Sequence, residues 1–240
     1  MISKKSVKGL LIFVEEIMTK KEFELIENYM LECMEDVAHD KEHVYRVLYS
    51  ALDIAHHAGG KVDHDVLICA CLLHDIGRKE ECDNPEVNHA IVGAEKAYRF
   101  LIANGYSGIF AEKVQACIST HRYRVFNKPK SIEAKILFDA DKLDTTGFMG
   151  IARTLLWCGR DNIPLYMLTD ENKIVVYDEQ NTFLRECKYK LSKLYDRFYT
   201  PYATSVAKER EMIAKACYHN LINELNFNYN NRKRLDSIFR

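Results

Sequence analysis

The residues His43, His74, Asp75, His121 and Asp141 are scattered over a hundred positions, yet each falls on an inward face or a buried end of its segment. A mixed set of imidazoles and carboxylates suits a first-row divalent metal ion. The clearest case is "ICACLLHDIGRKEE", residues 68 to 81, where an apolar run leads straight into His74 and Asp75. Leu67, Ala70 and His74 repeat at helical spacing, so the imidazole shares a face with core residues. Asp75 follows in the last turn, where the helix dipole disfavours an anion. Arg78 or Lys79 could offset that cost. A metal ion would do so while also holding a neutral imidazole.

Other segments repeat the pattern. His43 heads the stripe Val47, Ala51, Ile54, Ala58, and His121 completes Phe110, Val114, Cys117. Asp141 lies in the stripe Ala134, Leu137, Asp141, Phe148, where an unpaired carboxylate would be costly to desolvate. His89 opens a helix with Gly93 one turn on, a small neighbour expected to leave room for something bound. Singly, each histidine would pass as a satisfied core residue. In order (His, then His-Asp, then a distant Asp) they specify a metal site. The pairs His39-Asp40 and His64-Asp65 sit in polar surroundings, and His56, His57, His64 and His219 fit no pattern.

The elements that must position these residues are helices. Apolar periodicity is near 3.6 almost throughout, with only four Pro and ten Gly. It predicts helices over about 21–38, 42–58, 63–75, 86–104, 107–121, 131–144, 147–158, 181–199 and 202–225. Gly59-Gly60, Gly77, Gly105 and Gly108 lie near the breaks, where left-handed caps are expected. "KIVVYD", residues 173–178, reads as one short strand or hairpin. No linker, repeat or low-complexity segment divides the chain. The expected architecture is all-α and a single domain over 1–240, with a core about 37–160 and a helical extension over 161–240.

Composition narrows the function. A net charge of -1 gives no reason to expect a nucleic-acid or membrane partner. The charge is uneven, with 12 Lys and Arg against 6 Asp and Glu from Arg185 onward; this basic quarter is a solvated helical face or a surface that attracts anions. Eight cysteines without a CxxC pair read as reduced, small hydrophobes of a cytoplasmic protein. The opening "MISKKSVKGLLIFVEEIMTK" resembles a signal peptide, but Glu15 and Glu16 cut its apolar run short, so neither export nor a membrane span is expected.

The motifs "EHVYRV" (His43), "LLHDIGR" (His74, Asp75), "NHAIVGAE" (His89), "ISTHRY" (His121) and "DADKLD" (Asp141) together resemble the HD superfamily of metal-dependent phosphohydrolases over about residues 40–160. The resemblance implies an all-helical HD bundle with additional C-terminal helices. It implies one metal site from His43, His74, Asp75 and Asp141, and a second through His89 and His121, bridged by Asp75. The chain lacks the "HD-x-x-E-D" extension of the guanosine tetraphosphate hydrolases and the GYP signature of cyclic-di-nucleotide phosphodiesterases. It is most similar to small stand-alone HD hydrolases of poorly defined substrate.

The expected chemistry is phosphomonoester or phosphodiester hydrolysis of a nucleotide or small phosphate ester by a metal-activated water. One or two divalent ions are implied (Mn, Fe, Co, Ni, Zn or Mg), imidazole-rich sites disfavouring Mg. Asp75 is expected to be a ligand that also orients the attacking water. Arg78 is the candidate phosphate clamp and Lys142 a second one, while Asp144 is a candidate to orient a ligand. Two other readings share this pattern: an HD-type mixed-valent di-iron oxygenase, and a nucleotide-binding module with negligible turnover.

Overall fold

The computed structural model describes residues 6–7, 10–11, 18–34, 41–122, 126–169 and 173–239. Residues 35–38 of the first expected helix, and the His39-Asp40 pair, lie outside them. The chain divides into two compact units: Met1–Leu48 with Gly60–Leu137, and Tyr49–Gly59 with Phe138–Arg240.

The first unit opens with a two-residue antiparallel hairpin, β1 (Ser6–Val7) and β2 (Leu10–Leu11), which the helical pattern did not announce. Helix α1 (Lys20–Met34) and the start of α2 (Lys41–His57) follow. Helix α3 (His64–Leu73) is capped by the Asp63 side chain, which accepts from the Val66 amide. Every residue from Val66 to Leu73 except Ile68 is buried, as an apolar-all-round helix requires. The short α4 (Arg78–Asp83), absent from the helices expected, comes next. Asn88 caps α5 (His89–Ala103) and Ser107 caps α6 (Gly108–Thr120), each through its side-chain oxygen. Helices α5 and α6 pack along each other, and α3 packs on α6 and α1. Helix α7 (Ile132–Leu143) runs on from this unit into the second.

Gly59 and Gly105 adopt the left-handed conformation expected at helix ends, but Gly77 does not, with φ of -94°. Gly77 is required for a different reason. A Cβ there would stand 2.3 Å from the His89 carbonyl oxygen and 2.7 Å from the Gly93 amide nitrogen. The room expected beside Gly93 is therefore filled by backbone: the turn after His74-Asp75 lies directly against the start of α5.

In the second unit, α8 (Gly147–Arg160) packs against α10 (Pro201–Asn230), which Thr200 caps and Pro201 starts. Helix α10 outruns its expected end at 225 and is followed by α11 (Arg232–Ile238). The anticipated β segment is the second strand of a hairpin, β3 (Met167–Leu168) with β4 (Ile174–Val175), paired Met167 to Val175 and Leu168 to Ile174. The helix expected over 181–199 is broken. Helix α9 (Phe183–Arg185) widens into a π-turn over Glu186–Lys190 and then tightens into a 3-10 turn over Leu191–Lys193. Two side chains of the widened turn, Lys188 and Tyr189, reach the same Val176 carbonyl, and buried Glu186 is clasped by Arg185 and Lys190. A small core of Ile151, Cys158, Phe183, Leu184 and Cys187 lies among these elements. All eight cysteines are free, five of them buried, but Cys82 is exposed. No helix among the described residues is long and apolar enough to cross a membrane.

Candidate metal centre

Five of the six expected ligands converge inside the first unit. The end of α3 delivers His74 and Asp75, the first turn of α2 delivers His43, the first residue of α5 is His89, and the residue closing α6 is His121. All five are buried.

Asp75 divides its two oxygens between two imidazole pairs. Its Oδ2 lies 3.7 Å from His43 Nε2 and 3.6 Å from His74 Nε2. Its Oδ1 lies 3.5 Å from His89 Nε2 and 3.6 Å from His121 Nε2. Within the pairs the facing Nε2 atoms stand 3.4 Å and 3.2 Å apart. Asp75, His89 and His121 offer ligand atoms that all lie within 4.8 Å of one another.

The hydrogen bonds on the far side of the rings identify what these nitrogens offer. His74 Nδ1 lies 2.8 Å from the Cys71 carbonyl oxygen and His121 Nδ1 2.7 Å from that of Ile118. A carbonyl only accepts, so each ring carries its proton on Nδ1. His89 Nδ1 likewise donates to Glu81 Oε2 at 2.7 Å. With the rings neutral, His74, His89 and His121 thus present Nε2 lone pairs toward an anionic carboxylate, and those of His89 and His121 face each other at 3.2 Å. Lone pairs so close repel unless a cation lies among them, so the donor set fits a divalent metal.

Burial pushes the Asp75 carboxyl up, but positive charge around it, on His74 and His121 when those rings are protonated and on Arg78, outweighs burial and holds the group well below the usual carboxylate range; with the rings neutral, a bound cation would take over their part. Burial, with the Arg78 charge adding to it, pushes the His89 imidazole down to about 3, so the ring is neutral and able to ligate. Arg78 Nε donates to Asp75 Oδ1 at 3.0 Å, and its Nη1 to Glu81 Oε2 at 3.1 Å. The cation beside Asp75 is therefore Arg78. Lys96, not foreseen, reaches back to the carbonyl of buried Ile76 at 2.8 Å and to Glu80 at 2.8 Å.

Glu81 and Arg122 were missed by sequence reasoning. Glu81 accepts from His89, Arg78 and Arg122 at once, which fixes the His89 ring as a carboxylate behind a ligating histidine does. The available signal was "HRY", where Arg122 directly follows a ligand candidate. Glu81 sits on a six-residue helix with no periodicity to read.

The remaining candidates lie in the second unit. Asp141 is buried on α7, with Lys142 Nζ 2.9 Å from its Oδ2. Lys142 Nζ also lies 5.3 Å from the Phe138 ring centroid. Asp144 is buried and paired with Arg153. Asp139, which sequence reasoning passed over, anchors the start of α10 by accepting from the amides of Tyr199 and Thr200 and from the Thr200 hydroxyl.

Helices that bring three further imidazoles around a His-Asp pair have the form of an HD domain. The HD domain family model matches residues 41–146, and the chain belongs to this family. HD domains bind divalent metals. The uncharacterised protein YpgQ of Bacillus subtilis is 30% identical over 182 residues, covering 73% of this chain and 79% of that protein. The crystal structure of YpgQ in complex with ADP matches with a TM-score of 0.65 at 24% identity, covering 84% of this chain and 97% of that one. An HD-superfamily hydrolase from Bacillus thuringiensis matches with a TM-score of 0.66 at 25% identity, covering 86% and 97%.

Proposed function

We propose that the protein is a metal-dependent phosphohydrolase acting on a nucleotide or small phosphate ester through a binuclear centre. The observation that carries this reading is the Asp75 carboxylate, with one oxygen turned to each of two imidazole pairs. His43 and His74 would hold one ion, His89 and His121 the other, and Asp75 would bridge them. The family pattern adds Asp141 to the set. When bound, the metals supply an activated water and screen the phosphate oxygens.

The chain's own residues would do the rest. Asp75 accepts a hydrogen bond from a water on its way to phosphorus and orients it. Arg78, already spanning Asp75 and Glu81, would exchange the Glu81 contact for two phosphate oxygens, which its planar fork suits. Lys142 is proposed as a second phosphate contact. A nucleotide is favoured as substrate because the related YpgQ has been crystallised with ADP.

The test is a panel of nucleoside mono-, di- and triphosphates and small phosphate esters, offered to purified protein with its metals quantified. Release of phosphate that disappears in Asp75→Ala is the expected result. Two bound ions with no release from any member would overturn it, and iron with a mixed-valent paramagnetic signal would move the reading to an oxygenase.

A further inference from the structure

The second unit contains a cavity of about 190 Å3 lined by Ile151, Cys187, Leu191, Tyr195, Ala214 and Tyr218, with Lys188, Ser192, Lys215 and His219 also on its walls. The hollow is partly open to solvent, and its volume compares with the cavity of about 150 Å3 that is enough to take benzene. Its wall includes the π-turn over Glu186–Lys190, a break in regular winding of the kind that recurs at functional sites.

The charges around it are mostly positive. Lys215 is paired with Glu211 at 2.6 Å, and Glu186 is already held by Arg185 and Lys190. Lys188 differs. Its Nζ lies 3.2 Å from the Val176 carbonyl and 5.0 Å from the Tyr189 ring centroid, and among the described residues no carboxylate pairs with it. His219 touches the Tyr218 ring. Two of the twelve Lys and Arg of the last quarter of the chain, Lys188 and Lys215, thus lie on one apolar hollow. Apolar walls select a compact hydrocarbon body, and a wall lysine whose ammonium meets a carbonyl and a ring but no carboxylate among the described residues suits a negative head.

We propose that this cavity binds a small amphipathic carboxylate whose compact apolar body is about the size of an aromatic ring, with its anionic head on Lys188. The site shares no residue with the metal centre and does not depend on the hydrolase reading.

The probe is phenylacetate, with 2-phenylethanol as a neutral partner of the same shape, each titrated calorimetrically into the full chain. Phenylacetate should bind with a Kd on the order of 1 mM, as suits a fragment of this size. The alcohol should bind about tenfold more weakly, and Lys188→Gln should erase that difference. Ala214→Trp should fill the cavity and abolish binding of both; Leu191→Phe is the milder filling variant should the first not fold, as read by circular dichroism. Equal affinity of acid and alcohol would overturn the anionic head, and binding that survives the filling variants would overturn the location. No binding of either probe would overturn the site altogether.

Discussion

The two imidazole pairs on either side of Asp75 are matched in composition but not in support. In the first, His74 is fixed by a backbone carbonyl, that of Cys71. In the second, His121 is fixed the same way by Ile118, but His89 leans on the Glu81 side chain, itself held by Arg78 and Arg122. A carbonyl in a helix turn cannot be adjusted without disturbing the fold. A carboxylate gripped by two guanidiniums can, because its charge and angle depend on partners at the solvent margin: the Arg122 side chain is 36% exposed and that of Arg78 25%. On the binuclear reading proposed above, the backbone-fixed His74 ring makes the first pair the structural half, and the Glu81-held His89 ring makes the second the tunable half.

Asp75 belongs to both halves, so Asp75→Ala gives the largest effect. Both ions should be lost and hydrolysis with them, while helical content stays near wild type, because the packing of α3 comes from Val66 to Leu73. Elemental analysis together with circular dichroism checks this. Retained metal would mean that the carboxylate is not the bridge.

His89→Ala separates the halves. Stoichiometry should fall from two ions to one, with the His43–His74 half keeping its own. Loss of both ions would show that the pairs fill only together and would break the comparison. Glu81→Gln is gentler: the amide oxygen still accepts from Nδ1 but carries no charge, so the ring becomes less basic. Affinity at the second half should drop by about 10- to 100-fold with the first half unchanged, as read by metal titration against a competing chelator.

The same ring sets a pH dependence. His89 is held at about 3 in the fold, mainly by burial, against an ordinary value of 6.5. Between those values the unfolded chain binds the proton and the folded one does not, so its contribution to stability is present above pH 6.5 and is lost as the pH falls. In metal-free protein, denaturant titrations over this window should lose up to about 1.4 kcal/mol per pH unit through this residue. His89→Ala should flatten the curve; an unchanged slope would place the titrating group elsewhere.

How much of this was legible in the sequence follows from burial and periodicity. The ligands could be found because each closes or opens an apolar stripe, and a buried imidazole on a helix face is conspicuous against leucine and alanine. The fold class was legible for the same reason. Glu81 was not, because a six-residue helix offers no period and a carboxylate in "RKEE" looks like a solvated one. The role of Gly77 was hidden because close backbone approach is a tertiary fact: its φ is ordinary, and only the Gly93 and His89 backbone opposite forbids a Cβ. The break over 186–193 was invisible since the contacts that accompany it, Lys188 and Tyr189 on one Val176 carbonyl, lie across a turn. The end of α10 was missed because "NFNYNN" is polar, while the helix continues to Asn230 without burying that face.

The smallest expected effect comes from the margin of the tunable half. Arg122 donates to Glu81 Oε1 and its Nη1 lies 3.4 Å from His89 Nδ1, so it holds the carboxylate in place without touching a ligand nitrogen that faces the centre. Its partial exposure means that water screens much of its charge. Arg122→Met keeps the length of the side chain and removes the guanidinium, leaving Arg78 as the other cation on Glu81. Affinity at the second half should weaken by about threefold, a shift that moderate salt should already mimic in the wild type. A loss as large as that of Glu81→Gln would mean that Arg122, rather than Arg78, sets the Glu81 geometry. No change in affinity, with the salt dependence intact, would mean that Arg78 alone is sufficient.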